Sequence, residues 1–390
     1  MTHIGIDIEQ FIRDPYGSGI QRVLQQLAAQ WPVDLSPADF VVPIGDRYAI
    51  VTTDQAADLL SLSFTCRDAG LLRERVADRT AELARTAPIV DTGRLLSLYS
   101  AWLLPEVSYL PSVLDRFELF RKVMPVSMIG YDALPMTEPA NYRFKPGAVS
   151  SVSEYFRLLA SADSVICISE YARDSILDRL RRDRSLPISV AHPGGDHIAF
   201  TDDHNQHDDH DKRNGAVRLL RVGTMEARKF PGEILDAFEA AVADGANLEL
   251  VFIGAPSASD QGINTRVEKA AAAGIRVTWI TDADDARVEE EMSRADIFLS
   301  IGTEGFGIPV LESIARGTPV AFAGIQPAAD IMDGKGARSL EGLEHEELTR
   351  SFRQLADRSV IEDVRGQIRT EDIPKWRDFA RGVCSGVLST

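Results

Sequence analysis

Residues 295–320 read ADIFLSIGTEGFGIPVLESIARGTPV, and the order of residue types in that stretch decides the fold class. Ala295 to Ile301 is an apolar run whose length suits one fully buried parallel strand rather than a helix. Gly305 and Gly307 then allow backbone torsions and close approaches that a side chain forbids. Pro309 is pre-set for a first helical turn, where its missing N–H costs nothing. Ile308, Leu311, Ile314 and Ala315 recur at helical spacing, and Gly317 with Pro319 stops the helix before the next apolar run. A strand, a glycine loop and a helix N-terminus in this order form an anion site, because N–H groups and the positive end of the helix dipole face the loop. A phosphate or diphosphate is its natural occupant.

Two carboxylates stand beside that pocket, Glu304 in the loop and Glu312 in the helix. Carboxylates repel phosphate unless they are aimed at something else, and sugar hydroxyls are suitable, since one carboxylate accepts several O–H hydrogen bonds. A nucleotide sugar, with a sugar on each side of a diphosphate, has the matching shape. Each residue alone has a blander reading: Glu312 as a complement to the helix dipole, Glu304 as a solvated loop residue.

Outward from this stretch the second half of the chain alternates strand and helix: 218–222, 231–242, 248–253, 263–273, 277–280 and 284–294. That alternation predicts a doubly wound parallel sheet. Arg228 and Lys229 lie just past its first strand, at the end where ligands bind, and two cations there suit a diphosphate. The first half opens with a strand over His3 to Glu9, a polar turn containing Gly17 and Gly19, and a helix from Ile20 to Trp31. The GxG reads either as a phosphate-facing loop or as an ordinary strand-to-helix turn. Two apolar runs between Phe40 and Thr53 read as strands, and Leu71 to Arg85 as a helix. A strand over Met124 to Gly130 delivers Tyr131 and Asp132 into a Pro-rich loop; Asp132 suits either a sugar contact or a bond to loop N–H groups. A helix over 145–162, a strand over 165–169 and a helix over 170–181 follow. His204, His207 and His210 stand among aspartates in the run from Thr201 to Gly215. A zinc or nickel site is one reading, but the lack of apolar residues favours a polar linker. From Pro374 the chain reads as an amphipathic helix, with Trp376 as a packing anchor.

At 390 residues the chain is long for one core and comfortable for two domains. Its formal net charge of -17 argues against nucleic acid, which binds clustered Lys and Arg, and limits membrane contact to a peripheral patch. No run is long enough to cross a bilayer and no charged-then-apolar leader is seen. Cys66, Cys167 and Cys384 are few, odd in number and lack metal-ligand spacing, which reads as reduced thiols in a cytoplasm.

The segment from Glu304 to Glu312 resembles the paired-glutamate motif of the retaining GT-B glycosyltransferases of the group 1 type, the large family 4 that includes bacterial mannosyl-, glucosyl- and rhamnosyltransferases. Further segments resemble that family in the expected order: the Gly17–Arg22 loop, DSVICISEYARDSI from Asp163, Ala191–Asp196, and RVGTMEARKF from Arg221. The resemblance implies an α/β, GT-B fold: two Rossmann-like, doubly wound parallel-sheet domains facing a central cleft. The first would span 1–196, with a helix over 373–390 crossing back onto it, and bind acceptor; the second, 197–372, would bind the nucleotide sugar.

It further implies that Gly17, Gly19, Thr224, Arg228, Lys229, Glu304, Gly305, Phe306, Gly307, Ile308 and Glu312 contact the donor, with Glu304, Lys229, Arg228 and Asp132 acting in catalysis. Thr224 stands where the family has an arginine, and Tyr131 where a histidine is common, so no catalytic histidine is carried over. Trp102, Glu106, Tyr109 and Tyr131 are candidates for the acceptor side; for the first three the alternative is a buried strand and its exit loop. The expected reaction moves a hexose-type sugar from a nucleoside diphosphate to a hydroxyl of a saccharide, lipid-linked or small-molecule acceptor, with retention and without a metal or other cofactor. The resemblance implies a place in bacterial polysaccharide or glycoconjugate biosynthesis. Rivals are an epimerase of the same architecture and a non-catalytic nucleotide-sugar-binding scaffold.

Overall fold

A computed structural model describes residues 2–66, 68–139, 148–180, 187–198, 215–257 and 262–390. They fall into two compact units, one drawn from residues 1–137, 144–194 and 375–390, the other from 138–143 and 195–374. The histidines at 204, 207 and 210 lie outside the described residues. None of the described helices is long and apolar enough to cross a membrane.

The first unit is built on eight strands: β1 (Ile4–Asp7), β2 (Ala38–Ile44), β3 (Arg47–Val51), β4 (Ile89–Val90), β5 (Ala101–Leu104), β6 (Val126–Gly130), β7 (Ser164–Cys167) and β8 (Ile188–Val190). They lie in the order β4-β3-β2-β1-β5-β6-β7-β8. From β2 to β8 every neighbouring pair is parallel. At the other edge β2–β3 and β3–β4 are antiparallel. That edge is a hairpin addition to the parallel sheet: only Gly45 and Asp46 separate β2 from β3, whereas a parallel return needs a crossover of a dozen or so residues.

β1 also stops sooner than its apolar pattern suggests. The Asp7 carboxylate accepts the Glu9 N–H at 3.0 Å, and the chain turns into the short helix Glu9–Arg13. The helices Thr53–Thr65 and Pro111–Phe120 are among those that the sequence reading lacks. The C-terminal helix Trp376–Leu388 belongs to this unit, where Ser164 Oγ donates to the Gly386 carbonyl at 3.1 Å. Trp376 is buried and meets Phe379 edge to face.

The second unit has six strands: β9 (Val217–Val222), β10 (Leu248–Ile253), β11 (Val277–Ile280), β12 (Ile297–Thr303), β13 (Val320–Ile325) and β14 (Ala337–Ser339). All are parallel, in the order β11-β10-β9-β12-β13-β14. Every residue of β12 is buried, as expected for a central strand covered on both faces. Ile234, Leu235 and Phe238 of the helix Pro231–Ala243 pack against it in one core with Leu219 and Leu250. The strand order reverses between β9 and β12. In open α/β sheets ligands bind beyond the carboxyl ends of the strands at such a reversal.

Candidate donor site

Both chain segments that carry charge lie at this reversal. Past β9, a loop runs into the single turn Ala227–Lys229, and Phe230 then adopts a left-handed conformation, φ 53°, before the helix from Pro231. A bulky residue in that region is strained, and it is held here because the turn packs against the end of β12. Gly302 makes the packing feasible. Its φ is +112°, and a Cβ on it would lie 2.2 Å from the Arg228 carbonyl oxygen and 2.9 Å from Lys229 Cα. Only glycine allows both the torsion and the approach.

The result is a close cluster of charge around Glu304. Arg228 Nη1 donates to Glu304 Oε2 at 2.8 Å and to the Thr303 carbonyl at 2.7 Å. Lys229 Nζ stands 3.1 Å from Glu304 Oε1, and Arg221 Nη2 approaches the same oxygen at 3.9 Å. Glu226 pairs with the other Arg228 nitrogen at 2.7 Å. Three cations and two carboxylates leave one net positive charge in a chain that is strongly acidic as a whole.

Burial pushes the Glu304 carboxyl upward, but Lys229, Arg228 and Arg221 outweigh it and hold the group at about 2. Burial, with Arg228 and Arg221, draws the Lys229 ammonium below its ordinary range, while Glu304 opposes them. Arg221 is also pulled down, by burial first and by Arg228, with Glu304 again opposing. Glu304 is therefore an ionised acceptor at neutral pH, and the cluster, with one positive charge in excess, gains from a further anion.

Glu304 opens the loop that leads to the helix Ile308–Ala315, whose N-terminus begins at Gly307, φ 103°, with no side chain capping it. Its N–H donates to the Ile325 carbonyl, and the Phe306 carbonyl accepts from Ala328. Gly305 and Phe306 are buried; Gly307 and Ile308 are partly exposed. Gln326, fully buried, accepts from Ser300 Oγ at 2.7 Å and donates to the Gly302 carbonyl at 3.0 Å, bracing the strand end beneath Glu304. Glu312, one turn into the helix, has Oε1 2.9 Å from His197 Nε2. Thr224 is exposed in the loop after Gly223.

In this unit the structure thus brings Arg228, Lys229 and Glu304 together. Arg221, Gln326 and His197 were missed. An arginine next to last in a buried strand was a legible anomaly, because charged residues are almost never buried without a partner. Gln326 and His197 carried no such mark. Among the described residues no group of three His, Cys, Asp or Glu side chains is placed to hold a metal ion.

The first unit places the remaining candidates differently. Gly17 and Gly19 are exposed, and Gly19 begins the helix Gly19–Ala29, with Ser18 as its cap. Trp102 is corrected from acceptor groove to core: it is 0% exposed in β5 and packs edge to face on Phe120, at 4.6 Å. Tyr131 is corrected likewise, since it is buried, its hydroxyl donates to the Pro105 carbonyl at 2.7 Å, and burial raises its pKa well above the ordinary value. Asp132 Oδ1 accepts the Leu134 N–H at 3.0 Å, the loop-holding option. Tyr109 is exposed, whereas Glu106 is buried and accepts the Phe11 N–H at 2.9 Å. Burial, with the negative charge of Asp7, raises the Glu106 carboxyl to about 8. The sequence reading also missed buried Arg116, which bridges Asp7 at 2.7 Å and Glu9 at 2.9 Å where β1 and β5 end.

Comparison with known proteins adds an independent line. Residues 202–358 match the sequence family described as glycosyl transferases group 1. The serotype-specific mannosyltransferase WbdA of Escherichia coli is 24% identical over 234 residues, which cover 55% of this chain and 28% of that protein. The chain spans about a quarter of the length of the curated relatives it matches. Among solved structures, that of Anabaena HepE in complex with UDP and glucose is similar over 100% of both chains, at 12% identity and a TM-score of 0.65. Sucrose-phosphate synthase from Thermosynechococcus elongatus is similar over 99% of this chain and 98% of its own, at 14% identity and a TM-score of 0.62. The likeness to these structures carries the fold, which is GT-B. The sequence match to the group 1 glycosyltransferases is carried by residues 202–358.

Proposed function

We propose that the chain is a retaining glycosyltransferase that moves a hexose-type sugar from a nucleoside diphosphate to a hydroxyl of a saccharide, lipid-linked or small-molecule acceptor. The observation that carries this reading is the ionised Glu304 carboxylate beside Arg228 and Lys229 at the β9–β12 reversal. A sugar leaving a diphosphate builds positive charge at its anomeric carbon and negative charge on the departing oxygens, so the protein's task is electrostatic and positional. Lys229 and Arg228 take the departing charge, aided by the N-terminus of the helix from Ile308. With these cations in place the phosphates need no metal. Glu304 accepts hydroxyls of the donor sugar, and Glu312 accepts those of the ribose.

HepE, crystallised with UDP and glucose and with UDP-glucose, and the mannosyltransferase WbdA support a hexose donor. The reading assigns the work to the cytoplasmic side, with at most peripheral membrane contact.

The test is a thermal-shift screen of nucleoside diphosphates and their hexose conjugates, followed by incubation of the stabilising conjugates with sugar acceptors and NMR of the products. Transfer or slow hydrolysis with the anomeric configuration kept supports the proposal. An inverted product or an epimerised sugar overturns it, as does binding without turnover across the acceptor panel.

A further inference from the structure

Glu312 is not held by its own helix alone. Gly195 lies directly on that helix: a Cβ there would sit 2.5 Å from Leu311 Cβ and 2.9 Å from Ile373 Cγ2. The Gly195 N–H also donates to the Pro374 carbonyl at 3.0 Å. So close an approach carries the next residues across the helix face, and His197 Nε2 arrives 2.9 Å from Glu312 Oε1. The imidazole is nearly enclosed, its side chain 6% exposed against 18% for the Glu312 carboxylate. An ionised carboxylate only accepts hydrogen bonds, so Nε2 carries the proton in this pair.

We infer that His197 is a positioning residue for nucleotide recognition: it fixes the Glu312 carboxylate in the orientation that receives the ribose hydroxyls of a nucleoside diphosphate. The inference rests on the proposed function, which gives Glu312 the ribose. A glutamate side chain has three rotatable bonds, and holding it in one arrangement before the ligand arrives removes an ordering cost from binding. The same bond leaves ribose recognition to lone pairs that already point in a defined direction. His197 itself need not touch the nucleotide, which separates its effect from that of a contact residue.

The experiment is calorimetry of the full chain with UDP, GDP and ADP, and with the 2′,3′-dideoxy form of whichever binds. The proteins are wild type, His197→Ala, His197→Gln, Glu312→Gln and the double variant. The expected result is a loss of roughly tenfold for the ribonucleotide in His197→Ala, the size of one charge-assisted hydrogen bond. The dideoxynucleotide should show no loss, and the double variant none beyond that of Glu312→Gln. His197→Gln, which keeps an N–H donor, should recover most of the affinity. If His197→Ala fails to fold, His197→Met against His197→Gln makes the same comparison of no donor with donor.

Equal losses for the ribo- and dideoxynucleotides, or additive losses in the double variant, would overturn the role of His197 while leaving the donor site in place. Tight nucleotide binding that Glu312→Gln does not weaken would overturn the ribose assignment, and the role of His197 with it. No binding of any nucleoside diphosphate by the wild type would instead remove the proposed function on which the inference stands.

Discussion

Lys229 Nζ stands 3.1 Å from Glu304 Oε1, so the ammonium expected to meet a diphosphate is already engaged with the carboxylate expected to meet the sugar. On the proposed reading, one cation would couple the two halves of the donor. On that reading an incoming diphosphate would find a charge ordered in advance, and Glu304 would be ionised to receive hydroxyls. Lys229→Ala breaks both functions. It is expected to abolish turnover with the fold intact and to weaken nucleoside diphosphate binding by about 1.5 to 3 kcal/mol, one charge-assisted contact. Titration calorimetry checks this, and unchanged affinity for a diphosphate that stabilises the wild type would show the assignment of Lys229 to be wrong.

Glu304→Gln has a different signature. The substitution keeps size and hydrogen-bonding capacity but leaves Arg221, Arg228 and Lys229 facing one another without their shared anion. Removing one partner from a largely buried charge cluster costs roughly 3 kcal/mol, so the unfolding temperature should fall. A bound diphosphate supplies the missing negative charge, and the thermal shift on adding it should exceed that of the wild type. Diphosphate affinity should hold or rise, while sugar transfer drops on the order of tenfold to a hundredfold. A variant that transfers at the wild-type rate would refute the sugar role.

A pH effect is expected in the first unit, from Glu106. Its folded-state carboxyl lies at about 8, against 4.5 unperturbed. With a raised folded pKa, its contribution to stability is complete below 4.5 and is lost as pH rises through 8, because the unfolded chain gives up the proton first. Over that window the loss amounts to roughly 3 to 5 kcal/mol. Glu106→Gln stays neutral throughout and keeps an acceptor for the Phe11 N–H. The fall in unfolding temperature from pH 6 to pH 9 should therefore be shallower in the variant. Parallel curves for the two proteins would mean that Glu106 does not hold its proton in the folded state.

The architecture of the second unit was legible because its central strands are largely buried and apolar and alternate with helices; β10, and even the half-exposed edge strand β11, occur over the expected residues. Arg228, Lys229 and Glu304 were legible because charge beside glycine, just past such a strand, has few structural uses. The first unit gave up less. The helix Thr53–Thr65 had its start signal in the Thr52 to Gln55 capping box, hidden behind an apolar run that reads equally as strand. Pro111 opens the helix Pro111–Phe120, a start signal with no capping side chain beside it to strengthen it. Trp102 and Tyr131 were placed toward a ligand for their chemistry, but burial is settled by neighbours distant in sequence: Phe120 for the first, Tyr155 and Pro105 for the second. The bond from His197 to Glu312 spans more than a hundred residues, and no local pattern encodes it.

The torsion and the packing at Gly302 can be separated by experiment. Gly245 also has a positive φ, +96°, but a Cβ there meets nothing within 4 Å. Gly245→Ala therefore carries the left-handed strain alone, about 1 to 2 kcal/mol. Gly302→Ala adds a collision with the backbone of Arg228 and Lys229, and backbone cannot yield as the end of a flexible side chain can. Its unfolding temperature should drop well below that of Gly245→Ala. The turn carrying both cations must also move, so diphosphate binding should weaken at least tenfold, while Gly245→Ala binds as the wild type does. Urea unfolding and calorimetry on the two variants make the comparison. Equal stability losses, with diphosphate affinity intact in Gly302→Ala, would show that the close approach at Gly302 does not position Arg228 and Lys229.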